Sequence, residues 1–90
     1  MANPIETTGL THTVTTTKLA TESIEDWIKR HNSAVETSTP SGNTLRTTYT
    51  SASGAESVTT TRNSGESDTS FMTRHKTEYL VHMVSAPPIP

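Results

Sequence analysis

The chain has 90 residues, of which 29% are apolar and 18% charged, with a net charge of −2, a pI of about 6.0 and no cysteine. That length suits a single domain, and the acidic balance argues against a general electrostatic grip on nucleic acid or acidic lipid. The absence of cysteine excludes disulfides, thiolate metal sites and thiol nucleophiles. With neither a basic leader nor an apolar run after Met1, no signal peptide or membrane span is expected and the default location is the cytoplasm.

Twenty threonines and 11 serines make up about a third of the chain. Such a composition could mean disorder, but the apolar residues recur periodically and threonine favours extended strands through its branched β-carbon. The β-branched run at 11–18 reads as a strand. Residues 22–36 follow as a helix, with Ile24, Trp27, Ile28, His31, Ala34 and Val35 on one stripe. Thr21 or Ser23 can cap it, Glu22, Glu25 and Asp26 suit its positive end, and Pro40-Ser41-Gly42 stops it. Residues 43–51 and 55–63 read as a hairpin turning at Ser53-Gly54, with Leu45, Thr47 and Tyr49 on one face of its first strand.

Residues 66–84 would make a long strand without alternation. As a helix they line up Phe71, Met72, His75, Tyr79, His82 and Met83, with Ser67 or Asp68 as cap. A helix is therefore expected. The tail 86–90, Ala-Pro-Pro-Ile-Pro, should be extended.

Residues 14–35 align without gaps on 58–79, an offset of 44, with eight of 22 positions identical. The shared Thr run could arise from composition. The coincident Glu22-Ser23 and Glu66-Ser67, Trp27-Ile28 and Phe71-Met72, and Arg30-His31 and Arg74-His75 pairs are harder to obtain by chance. Continued upstream, the same register places Met1 and Ile5 over Leu45 and Tyr49 and suggests a first strand at about 2–7, turning near Gly9.

The expected fold is therefore α+β: a small antiparallel sheet with two helices on one face, built as a duplicated ββα unit about a pseudo-twofold axis. Residues 1–85 would form one domain, with halves at about 1–41 and 42–85, and 86–90 an extended tail. A domain-swapped dimer would offer the same local contacts. Val14, Val58, Leu45 and Tyr49 should face the helices. The other face should carry Thr13, Thr15, Thr17, Thr44, Arg46, Thr48, Thr50, Thr59 and Thr61.

The candidate binding residues are the repeated Arg30, His31, Arg74 and His75. Two imidazoles near a symmetry axis could titrate or approach a metal, and two guanidinium groups could clamp an anion. Against this, two histidines without a nearby carboxylate make a poor metal site. The alternative is that each ring is bonded to a threonine hydroxyl or a carbonyl, and that each arginine pairs with Glu22 or Glu66. No catalytic set, cofactor or metal site can be nominated. The thin core points instead to a non-enzymatic interaction module with a protein partner, most simply a second copy as a homodimer. A small-ligand or anion-binding domain is the alternative.

Overall fold

The computed structural model describes residues 2–90. The chain runs β1 (Ile5–Thr8), β2 (Val14–Thr16), α1 (Ile24–Glu36), β3 (Thr44–Ser51), β4 (Gly54–Thr61) and α2 (Asp68–Ser85). The strands form one antiparallel sheet in the order β2-β1-β3-β4. The fold is thus α+β, a four-stranded antiparallel sheet with two helices.

Both helices cover the same face of the sheet. Thr7 of β1 pairs with Thr47 of β3, so their side chains share a face. Thr7 contacts His31 of α1, and Thr47 contacts His75 of α2. The helices run antiparallel: Glu36 of α1 meets Lys76 of α2, Asn32 meets Tyr79, and Ile28 shares an apolar groove with Leu80 and Met83. Ser23 caps α1 by accepting from the amide of Asp26 at 3.0 Å, and Ser67 caps α2 by accepting from the amide of Ser70 at 3.1 Å.

The two hairpins differ in length. β3 and β4 join through the two residues Ala52 and Ser53 and stay paired over eight positions. β1 and β2 pair over three, Ile5 with Thr16 to Thr7 with Val14. The expected strand at 11–18 is therefore trimmed to Val14–Thr16. At one end the carbonyl of Thr17 turns outward to accept from Arg30. At the other, Gly9 adopts φ +92° and turns the chain away, so that Thr11 bonds to Thr39 and Leu10 bridges Pro40. A Cβ at Gly9 would lie 2.0 Å from the carbonyl oxygen of Thr44, so no other residue fits there.

The core forms two clusters. One holds Ile5, Trp27, Tyr49, Tyr79 and Met83, the other Leu10, Val35, Leu45 and Phe71. Val14 and Val58 pack at their margins, on the helix face as expected. The opposite face is uncovered and carries the expected row: Thr15, Thr17, Thr44, Arg46, Thr59 and Thr61 are exposed, and Thr48 and Thr50 partly so. The C-terminal tail returns to the sheet, where Pro88 bridges Ser51 and the amide of Ile89 donates to the carbonyl of Thr50 at 2.9 Å. Among the described residues no helix is long and apolar enough to cross a membrane.

Candidate functional site: a buried threonine and histidine seam

A line of polar side chains runs between the two apolar clusters. His31 Nδ1 lies 2.9 Å from Thr16 Oγ1 and its Nε2 lies 2.8 Å from Thr7 Oγ1. His75 Nδ1 lies 2.7 Å from Thr60 Oγ1 and its Nε2 lies 2.8 Å from Thr47 Oγ1. Thr7 and Thr47 Oγ1 are themselves 2.7 Å apart, which joins the two sets into one chain. At one end the indole N–H of Trp27 is shared between Thr16 Oγ1 and the Thr16 carbonyl oxygen, each 3.2 Å from the nitrogen. At the other the hydroxyl of Thr60 donates to Glu78 Oε1 at 3.1 Å.

Both rings are fully buried, as are Thr7 and Thr47. Burial holds each imidazole well below its ordinary value, to about 4, with the neighbouring arginines adding to the effect. At neutral pH both rings are uncharged. Tyr79 stands between them, its ring edge-on at 6.3 Å from His31 and 5.4 Å from His75, and its hydroxyl bonded to Asn32. Among the described residues no buried side-chain nitrogen or oxygen lacks a partner. That matters because an unsatisfied buried polar group costs about 1–3 kcal/mol.

The arginines lie outside the seam, at opposite edges of the sheet. Arg30 Nε and Nη2 each donate to the carboxylate of Glu22 at 2.9 Å, and Nη2 also donates to the carbonyl of Thr17 beyond β2. Arg74 donates to Glu66 at 3.1 and 2.7 Å and to the carbonyl of Thr61 at the end of β4. The bidentate guanidinium holds the carboxylate of Glu22 well below its usual range, to about 2, and Glu66 likewise. Glu22 and Glu66 also accept from the amides of Leu19 and Asn63, so each pair clamps the turn that leads into its helix.

Of the four candidate residues, the structure therefore links His31 to His75 through two threonines and leaves Arg30 and Arg74 apart. Each ring nitrogen already has a hydroxyl partner, and Arg30 and Arg74 each grip a carboxylate and a carbonyl of this chain. Among the described residues no three histidine or carboxylate groups gather as metal ligands. The inward threonines Thr7, Thr16, Thr47 and Thr60 are the seam residues that the sequence reading did not nominate. The signal was the strand alternation, since each is two residues from an inward apolar residue: Ile5, Val14, Leu45 and Val58.

The two sets of contacts differ in their spacing along the chain. Between the two sets, His31 to His75 and Thr16 to Thr60 are offset by 44, whereas Thr7 to Thr47 is offset by 40. Ile5 pairs with Thr16 as Leu45 pairs with Thr60. In strand pairing Ile5 therefore resembles Leu45, whereas Tyr49, which the ungapped register sets over Ile5, pairs with Glu56. The four extra residues lie in the longer β3–β4 hairpin. No family model, curated protein or solved structure matches the chain, so its own geometry is what bears on its role.

Proposed function

We propose that this chain is a non-enzymatic assembly module, built as a ββα unit used twice about a pseudo-twofold axis, that pairs with a second copy of itself along the outer edge of β4. The duplication draws support from the repeated Thr-His-Thr and Glu-Arg-carbonyl contacts. The self-association draws its support from one observation, the state of the β4 edge.

β4 is eight residues long and lies at the end of the sheet. Edge strands are commonly blunted by lysine, proline, a bulge or brevity. β4 has no lysine and no proline, and its pairing with β3 is unbroken. Its one charge, Glu56, is opposite Tyr49 on the helix face, where it accepts from Ser51 at 2.8 Å and lies 2.7 Å from His82 Nε2. The two-residue turn makes Ser51 and Gly54 a hydrogen-bonded pair. By alternation the amide and carbonyl groups of Ala55, Ser57 and Thr59 point outward.

Two such edges are self-complementary when they run antiparallel and centre on Ser57. Ala55 of one copy then faces Thr59 of the other, and Glu56 faces Val58. Centring on Glu56 would set two carboxylates opposite each other, which is unfavourable. The result is a continuous eight-stranded sheet.

Sedimentation velocity tests the reading. The wild type is expected to shift from monomer to dimer with concentration, and Ser57→Pro to remain monomeric with unchanged far-ultraviolet circular dichroism, because the lost amide hydrogen faces outward. Ser57→Cys should crosslink to itself on oxidation, since a hydrogen-bonded antiparallel pair has Cα atoms about 5.5 Å apart, within disulfide range. Ala55→Cys should not. A wild type that stays monomeric at high micromolar concentration, or a Ser57→Pro variant that still dimerises, overturns the proposal.

A further inference from the structure

We infer that the buried seam is a one-way hydrogen-bond chain that holds His31 as its Nε2–H tautomer and His75 as its Nδ1–H tautomer, with the direction set by Glu78 at one end and reinforced by Trp27 at the other.

The assignment follows from counting hydrogens, because a threonine hydroxyl has one to give and a neutral imidazole has one. Glu78 can only accept, so the hydrogen of Thr60 is committed to it. His75 Nδ1, 2.7 Å from the same oxygen, must then donate. His75 Nε2 is left as an acceptor and takes the hydrogen of Thr47 at 2.8 Å. Thr47 has none left for Thr7, so Thr7 donates to Thr47 across 2.7 Å. Thr7 must in turn receive from His31 Nε2. His31 Nδ1 accepts from Thr16, and Thr16 Oγ1 shares the indole hydrogen of Trp27 with the Thr16 carbonyl. Every group is satisfied, and no hydrogen points at another.

Reversal fails at both ends. With the chain turned round, Thr16 Oγ1 would receive the hydrogen of His31, and its own hydrogen would have no acceptor in the seam. Thr60 would meet the carboxylate of Glu78 with a lone pair. The two determinants are departures from the 44-residue correspondence: Phe71 stands where Trp27 would recur, and Ala34 stands where Glu78 would have its counterpart. Two interior sets with the same contacts are thereby made inequivalent. The partly exposed carboxylate of Glu78, which also accepts from Arg74 at 3.3 Å, is coupled through five successive hydrogen bonds to a ring held by the other helix.

Two-bond proton–nitrogen correlation spectra of the imidazoles at neutral pH read the tautomers directly. In the wild type the unprotonated nitrogen should be Nδ1 in His31 and Nε2 in His75. In the double variant Trp27→Phe/Glu78→Ala both ends lose their bias, and the nitrogen shifts of both rings should move to exchange-averaged values. Glu78→Gln, which keeps an acceptor oxygen, should retain the wild-type pattern. The same tautomer in both wild-type rings, averaged shifts in the wild type, or an unaltered pattern in the double variant overturns the inference. The wild-type measurement stands even if the double variant does not fold.

Discussion

Thr47 and Thr48 are neighbours on β3 with opposite roles. Thr47 is fully buried, and its hydroxyl connects Thr7 to His75. Thr48 lies on the uncovered face in a row of other threonines. A branched β-carbon suits both, because it stiffens an extended backbone whichever way it points. The hydroxyl separates them. In water its hydrogen bonds are exchanged at little net gain, whereas in the interior each must have a partner or the group costs free energy. The sheet thus uses one residue type as inert cladding on one side and as connecting structure on the other.

Acid should break this contrast most strongly. The unfolded chain protonates its histidines near 6.5, whereas His31 and His75 in the fold resist until about 4. Protons therefore bind the unfolded state preferentially between those values. The stabilising contribution is complete above about 6.5 and is lost as the pH falls toward 4. At about 1.4 kcal/mol per unit, each ring contributes on the order of 3 kcal/mol, and the total stability of a small domain is only about 5–15 kcal/mol. Thermal melts followed by circular dichroism should show a steep fall in Tm across that window. A flat Tm would mean that the rings are not held neutral.

A Thr47→Val substitution should cost about 2–3 kcal/mol in urea unfolding, because it keeps the shape but strands Thr7 and His75 Nε2. Combined with Thr7→Val, the cost should fall well short of additive, since both changes cut one network. The matching change on the open face, Thr48→Val, should alter stability by about 0.5 kcal/mol or less. Equal effects at 47 and 48 would remove the distinction between the faces.

Much of the fold could be read from the sequence because its signals are periodic. The stripe from Ile24 to Val35 predicted α1, and the alignment of Phe71, Arg74 and His75 with Trp27, Arg30 and His31 resolved α2. The open face was legible through Val14, Val58, Leu45 and Tyr49, which set the parity of their strands. The inward threonines were harder to recognise, since a run such as Thr15-Thr16-Thr17 carries no contrast of its own and threonine is ordinarily a surface residue. The length of β2 depends on Gly9, whose turn is fixed by its approach to Thr44, distant in sequence. Matching Ile5 with Leu45 requires a four-residue step that too few similar residues upstream could reveal. The return of Pro88 to Ser51 has no periodic signal.

The unequal hairpins bear on how far an assembly of this chain can grow. A sheet with two long bare edges can add copies at both ends and becomes a fibre. Here one edge is eight residues long and the other, β2, only three. If β4 pairs with β4, the twofold contact consumes the long edge of each copy and leaves two short ones outermost. Growth then closes at two, and the extra length of the second hairpin acts as a stoichiometric limit.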